Sequence, residues 1–568
     1  MRKSIILHPI LICLILIYCA GHYGAQQGSD RFCNVIVLVP DGCGVAHMTL
    51  ARWFKGALLT QDSMDVSLVR THSANSMITE SAAAATAFST GFKTWEGSDK
   101  AKCLSMRPDS LLFPEPVALP ESEQWRPVAT VLEAARLSGR STGLVATCRI
   151  SHATPAAYAS HWHSRDYNNI IMEQIVHQGV DVVFAGGYRY LVGTDTEVPG
   201  SKFRGARRDG DDLKAVLLSK GYGFITTREE LLGLDADTKK VWGMFAPSHM
   251  VHDIDRRYLA PHEPSLAEMT EKAIEILNRD PDGFFLVVEG SQVDWASHDN
   301  DPVGVVTEYL AFDRAVKVAL DFARSDANRR TLVLIFPDHE CGGMSLGERD
   351  TDPDACQPER TVDVLRKARL TADGVATFMS DSVGHGDTTA IRAMLSHYYA
   401  IDDLTDDELR LIQDELCDTP YVDIYTLIGP MLSRRCSIGW TTFSHTGGDV
   451  PMFSYGLGSF ERTLDNTEIA YICAHALELD LGATTERLFS DAAVLFDDHV
   501  VTIDTIGWEK SMGQLIVETD GRRALFPFFK NVMVVDQDTV MLEGLTIYSL
   551  KAHKVFLPRQ AKALFDRP

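Results

Sequence analysis

A serine set among small helix formers, Thr79-Glu80-Ser81-Ala82-Ala83-Ala84-Ala85-Thr86-Ala87, is the candidate nucleophile of this chain. The alanine run predicts a helix with Ser81 at or near its N-terminus, where unpaired N–H groups and the helix dipole favour a phosphate or other anion. The same position suits a plain helix cap, and an unaided hydroxyl needs a base or a metal beside it. Acidic and histidine clusters elsewhere offer that help. Asp41 follows the apolar run Asn34 to Pro40, and Glu289 closes FFLVVE with Asp294 and His298 just beyond. Asp338-His339 follows TLVLIFP, and His445 precedes Thr446-Gly447-Gly448-Asp449. Asp294 and His298, four apart, lie on one side of a helical turn and can share a cation. Each cluster alone is ordinary surface decoration; their joint occurrence at the ends of apolar runs points to a metal centre. Mixed imidazole and carboxylate ligands suit zinc, while carboxylates with hydroxyl and water suit magnesium.

The elements that must position these groups follow from the apolar pattern. NVIVLVP, residues 34–40, is apolar without alternation, the mark of a strand covered on both faces. Further strands are expected at 142–147, 180–184, 284–288 and 331–336, and one at MFSYGL after His445. Helices are expected at 47–55, 128–137, 166–177, 211–219, 265–277 and 303–323. This alternation predicts an α/β fold with a mostly parallel central β-sheet flanked by helices on both faces, its ligand beyond the carboxyl ends of the strands. The rhythm breaks at about 341–442, read as an inserted lid, crown or interface between two site-bearing strands. The catalytic domain is thus expected at 31–482, and residues 483–568, with short runs such as VMVV and VFL, as a small β-rich appendage.

The chain has 568 residues and a formal net charge of -24, which argues against a nucleic-acid-binding surface. Arg2 and Lys3 precede an apolar run from Ile5 to Ile17, so residues 1–25 are expected to be an export signal, with a retained N-terminal anchor as the alternative. No later segment has the ~18 apolar residues of a membrane span. Export to a periplasmic or extracellular space permits disulfides. Of 11 cysteines, Cys13 and Cys19 lie in the leader, which leaves an odd number. Cys341/Cys356 and Cys417/Cys436 are close enough in sequence to pair, whereas Cys33, Cys43 and Cys148 are expected as buried thiols.

From about Asn34 to Gly458, apart from the insertion, the chain closely resembles the alkaline phosphatase family. The motifs that carry the resemblance are VPDGCG, TESAAAATAFSTG, STGLVATCRISHATPAAYASHWHSR, PSLAEMTEKAIEIL, FFLVVEGSQVDWASHDND, FPDHECGG and SHTGGDVPMFSYG. The resemblance implies hydrolysis of small phosphate monoesters through a phosphoserine at Ser81. It implies one Zn²⁺ on Asp294, His298 and His445, and a second on Asp41, Asp338 and His339. It also implies Mg²⁺ on Asp41, Thr154 and Glu289, Arg165 as the phosphate clamp, and a homodimer. Three positions depart from the best-known bacterial members: Glu80 replaces an aspartate that orients the arginine, and His152 and Trp295 replace an aspartate and a lysine near the metals. Glu80 is expected to loosen or re-aim Arg165, His152 either to support the metal ligands from behind or to draw the third site toward zinc or cobalt, and Trp295 to weaken retention of product phosphate. A sulfatase would need a C/S-x-P-x-R signal, which Ser81-Ala82-Ala83-Ala84 is not. A phosphodiesterase of the same superfamily and a non-catalytic metal-binding surface protein are the alternatives; rates on mono- and bis-esters separate the first, and deletion of the tail the second.

Overall fold

Strand β1 (Asn34–Pro40) is buried along its whole length, and its side chains divide by parity between two cores. Val35, Val37 and Val39 face one, and Ile36 and Leu38 the other. Period-two alternation on a strand apolar at every position requires a covering layer on both faces. In the computed structural model, residues 32–567 are described except 98–101, 236, 326–329, 349–350, 352–356, 383–386, 419–422, 506–512 and 520. The side chains of 380–382 and 417–418 are also undescribed. The expected export signal lies outside the described residues, and so does Cys356.

β1 is central in a 10-stranded sheet. The other strands are β2 (Asp65–Arg70), β3 (Ser141–Arg149), β4 (Val182–Gly186), β5 (Gly223–Ile225), β6 (Val241–Met244), β7 (Phe284–Gly290), β8 (Thr331–Ile335), β9 (Val450–Tyr455) and β10 (Leu464–Asp465). Their order is β10-β2-β9-β8-β1-β7-β3-β4-β6-β5. Every described pairing is parallel except those of β9, which runs antiparallel to both β8 and β2. The expected mostly parallel sheet is therefore what forms. β2, β5, β6 and β10 were not expected; β2 alternates exposed and buried residues over Asp65–Arg70 and lacks the apolar run of the central strands.

The flanking helices include α1 (Val45–Lys55), α2 (Ser81–Thr90), α3 (Ala153–Ala159), α4 (Leu266–Leu277), α5 (Gln292–His298) and α6 (Pro302–Ser325). Ala82, Phe88 and Ala156 from α2 and α3 enter the core of one sheet face. Met269, Ala273, Phe312 and Val316 from α4 and α6 enter the other. Between β8 and β9 the chain forms α7 (Pro358–Leu365), α8 (Ala372–Ser382), α9 (Thr388–Tyr399), α10 (Asp406–Asp418) and α11 (Ile424–Arg435). Val375, Ile391, Ile412 and Ile428 of these helices join a third core that also takes Val303 and Val306 from α6. The tail carries a five-stranded antiparallel sheet between Val500 and Met541. Its Leu515, Phe526 and Met533 share a core with Trp162 and Ile170. No helix among the described residues is long and apolar enough to cross a membrane.

Candidate metal centre and nucleophile

Four neighbouring strands, in the order β8-β1-β7-β3, deliver their carboxyl ends to one place. Asp41 follows β1, Asp338 and His339 follow β8, Glu289 sits near the end of β7, and Thr154 lies just past β3 in α3. Gly42 lets β1 turn there: its φ is +69°, and a Cβ would lie 2.5 Å from Asp294 Oδ1. Only glycine combines that backbone with so close an approach. The turn lets Gly42 N–H donate to Asp338 Oδ1 at 3.1 Å, tying two strand ends together.

One cluster is closed. Asp41, Asp338 and His339 bring a ligand atom each to within 4.8 Å of one another, and none is more than 1% exposed. His339 Nε2 lies 3.1 Å from Asp338 Oδ2 and 3.8 Å from Asp41 Oδ1. Both Asp41 oxygens are buried without a hydrogen-bond donor. Burial, then the charges of Asp338, Asp294 and Glu289, push the Asp41 carboxyl well above the usual range. So many buried carboxylates without a donor are the signature of a place for a cation.

The second cluster, Asp294, His298, Cys341 and His445, is more open. His298 Nδ1 bonds the carbonyl of Phe443 at 2.7 Å and His445 Nδ1 that of Thr79 at 2.9 Å. A carbonyl only accepts, so each Nδ1 carries a proton and each Nε2 is the ring atom turned toward the cluster. Those two Nε2 atoms face each other at 3.2 Å, with Asp294 oxygens 3.3 and 3.6 Å away. Burial opposes charging of His298, but its bond to Asp294 and that carboxylate's charge raise the imidazole to about 9, so a proton on His298 or a metal ion in its place bridges the two rings. Burial and neighbouring His339 push the His445 imidazole down to about 4, which keeps it neutral for ligation.

Ser81 stands between the clusters, at the first position of α2 and 2% exposed, with Oγ 3.2 Å from His339 Nε2. Glu80 caps α2 by accepting from Ala83 N–H at 2.6 Å, and its other oxygen accepts from Arg165 Nη1 at 2.8 Å. Arg165 Nη2 lies 2.6 Å from His152 Nε2. Burial, then Arg165 and Arg149, hold the His152 imidazole well below its usual range, so it accepts that bond as a neutral ring. Trp295 packs edge-on to His152, with ring centroids 5.5 Å apart, and to His249 at 4.1 Å. Thr154 Oγ1 and Glu289 Oε1 are buried without partners.

Every site residue expected from sequence thus falls in this one region. The sequence reading missed Cys148, His249 and Cys341. Cys341 and Cys436 are both free, so neither Cys341/Cys356 nor Cys417/Cys436 is formed; Cys341 is committed instead to the open cluster and Cys436 to the core of the inserted helices. Cys33, Cys43 and Cys148 are free as expected. The signal for Cys341 is long-range: Glu340–Cys341 pairs antiparallel with His445–Thr446, placing Cys341 opposite His445.

A buried serine at a helix N-terminus, an arginine beside it and cation-ready clusters on either side define a metal-dependent hydrolase of phosphate esters. The chain belongs to the alkaline phosphatase family, whose model matches residues 32–479. It is 34% identical to alkaline phosphatase 3 of Bacillus subtilis over 471 residues, covering 80% of this chain and 91% of that protein. The crystal structure of Thermus thermophilus alkaline phosphatase superposes with a TM-score of 0.67 at 26% identity, covering 81% of this chain and 95% of that one. A histidine-to-aspartate variant of the alkaline phosphatase from the Antarctic bacterium TAB5, solved with magnesium in its M3 site, shares the fold. Its TM-score is 0.52 at 24% identity, over 79% of this chain and 99% of that one. The protein is a phosphoric monoester hydrolase that uses divalent metal ions.

Proposed function

We propose that hydrolysis runs through a phosphoserine at Ser81. The observation that carries this is the position of Ser81 Oγ, at a helix N-terminus and 3.2 Å from His339 Nε2. Zn²⁺ on Asp294, His298 and His445, a second Zn²⁺ on Asp41, Asp338 and His339, and Mg²⁺ or another divalent ion on Asp41, Thr154 and Glu289 complete the site. Bound there, the cations supply the charge that stabilises the attacking and leaving oxygens of an in-line displacement. Ser81 Oγ forms a bond to phosphorus as the ester bond to the alcohol breaks. Water then attacks the phosphoserine from the opposite side and restores the hydroxyl, which gives net retention at phosphorus. The first N–H groups of α2 point at the transferring group.

Arg165 offers five N–H donors in a plane. Glu80 takes one end and His152 approaches the other, so the fork is fixed before substrate arrives. Trp295 brings no cation toward phosphate, which favours fast product release. Export to the periplasm or outside the cell, cleavage of residues 1–25, and a homodimer complete the reading, with 31–482 as the catalytic domain and 483–568 as its appendage.

The test is p-nitrophenyl phosphate hydrolysis across pH, before and after chelation and with zinc plus magnesium restored, alongside a bis-ester. Alkaline turnover of the monoester, lost to chelator and recovered with both metals, is the expected result. No monoester turnover with filled zinc sites, or faster bis-ester cleavage, overturns it.

A further inference from the structure

We propose that Cys148 is a ligand of the third cation site, making it a thiolate–imidazole–carboxylate site that selects zinc or cobalt over magnesium. This rests on the metal-hydrolase reading above. β3 and β7 run side by side with Ala146 paired to Glu289, so Cys148, two residues beyond Ala146, projects from the same sheet face as Glu289. Cys148 Sγ lies 3.1 Å from Glu289 Oε2, and together with His152 the ligand atoms fall within 4.8 Å of one another. Cys148 and Glu289 have no exposure and His152 has 8%.

A thiol that merely filled space would leave the polar atoms around it satisfied. They are not. Thr154 Oγ1, Glu289 Oε1 and both Asp41 oxygens are buried without partners, so donors converge on the same region from β1, β3, β7 and α3. Magnesium takes oxygen ligands in near-octahedral geometry and keeps its waters. Sulfur and imidazole donors select zinc and its analogue cobalt. On binding, the S–H bond is replaced by a sulfur–metal bond and the proton leaves to solvent. A neutral imidazole has one lone pair, which His152 gives to Arg165 Nη2 in this structure, so a cation taken by His152 releases that bond and couples the third site to the phosphate clamp.

The experiment reconstitutes metal-stripped protein with Co²⁺ and reads metal content together with the near-ultraviolet sulfur-to-cobalt charge-transfer band. Wild type, Cys148→Ser and Cys341→Ser are compared, because Cys341 is the other thiol near a ligand cluster. The expected result is full cobalt loading with a band that Cys148→Ser abolishes and Cys341→Ser retains. Full loading without a band, or a band lost only in Cys341→Ser, overturns the ligand while leaving the hydrolase intact. Incomplete loading with no band and no hydrolysis overturns the three-site reading and this ligand with it. Should Cys148→Ser fail to fold, zinc-edge X-ray absorption of wild type and Cys341→Ser decides: a sulfur neighbour present in both supports Cys148, and its absence from Cys341→Ser refutes it.

Discussion

The two clusters on either side of Ser81 both combine carboxylate and imidazole, the open one with the Cys341 thiol besides, but they are held in different ways. Asp41, Asp338 and His339 come from the ends of β1 and β8, which are hydrogen-bonded neighbours, and they are shut away from solvent. Asp294 and His298 come from a helix and His445 from the segment after the inserted helices; the His298 side chain is 33% exposed. The ligand set is thus split into a fixed half and an accessible half. The fixed half lies against Ser81 Oγ through His339. The accessible half is the one open to solvent.

The largest effect expected from this division is at the nucleophile. Ser81→Ala lowers turnover by roughly 10³-fold or more, the scale of deleting a covalent nucleophile, and no phosphoprotein is trapped by acid quench. Turnover within a few-fold of wild type breaks the comparison at its root. Next come the clusters themselves. His445→Ala loses one zinc by elemental analysis and about 10²-fold in turnover, as several kcal/mol of charge stabilisation disappears. Excess zinc recovers part of it, because Asp294, His298 and Cys341 remain around an opening. His339→Ala, in the closed half, is not recovered by zinc. Equal rescue of the two variants removes the distinction between halves.

Glu80 spans the site, and its substitution gives a smaller effect. Glu80→Gln keeps an oxygen to cap Ala83 N–H but gives up the charge that holds Arg165. A hydrogen bond to a charged group is worth about 1.5–3 kcal/mol, so kcat/KM falls roughly tenfold or somewhat more, with metal content unchanged. An unchanged kcat/KM shows that His152 alone suffices to aim Arg165.

The split explains what was legible in the sequence. Ligands of the closed half stand at the ends of fully buried strands, and buried parallel strands announce themselves as unbroken apolar runs, so Asp41 and Asp338-His339 were readable by position. Asp294 and His298 were readable because a helical turn relates residues four apart. What was hidden depends on pairings between distant segments. Cys341 meets the open cluster only through its pairing with His445. Cys148 reads as a core strand residue, because nothing local says that its face of β3 is shared with Glu289. The α/β class followed from alternation, but β2 is half-exposed and β5, β6 and β10 are too short to carry that signal. The family resemblance supplied the roles; geometry then showed which neighbours those roles depend on.

The smallest effect expected concerns the seam that ties the inserted helices to the open half. Asp301, just past His298, accepts from Ala372 N–H at 2.8 Å and Tyr399 Oη–H at 2.6 Å. Asp255 accepts from Thr371 N–H at 2.9 Å and its hydroxyl at 2.6 Å. Beside them His252 lies 3.3 Å from Glu308. Burial opposes charging of His252, but its bond to Glu308 and the charges of Glu308, Asp255 and Asp373 outweigh it and raise the imidazole to about 10. Its contribution is complete below the unfolded value of about 6.5 and is lost as pH rises through about 10. Burial raises Asp255 to about 7, so its contribution is present below the ordinary carboxylate range and is likewise lost as pH rises through that value. The loss at Asp255 is complete by about pH 7, so above that His252 is the group that weakens the seam, which joins the inserted helices to the chain just past His298. With zinc and magnesium saturating, the thermal midpoint therefore falls by a few degrees between pH 7 and pH 10. Chelator then strips metal from the open cluster faster at the higher pH, while loss from the closed cluster changes little. His252→Gln lowers the midpoint at pH 7 and flattens the slope. A wild-type midpoint level across that window, or equal acceleration of loss from both clusters, would show that the inserted helices do not govern the open half.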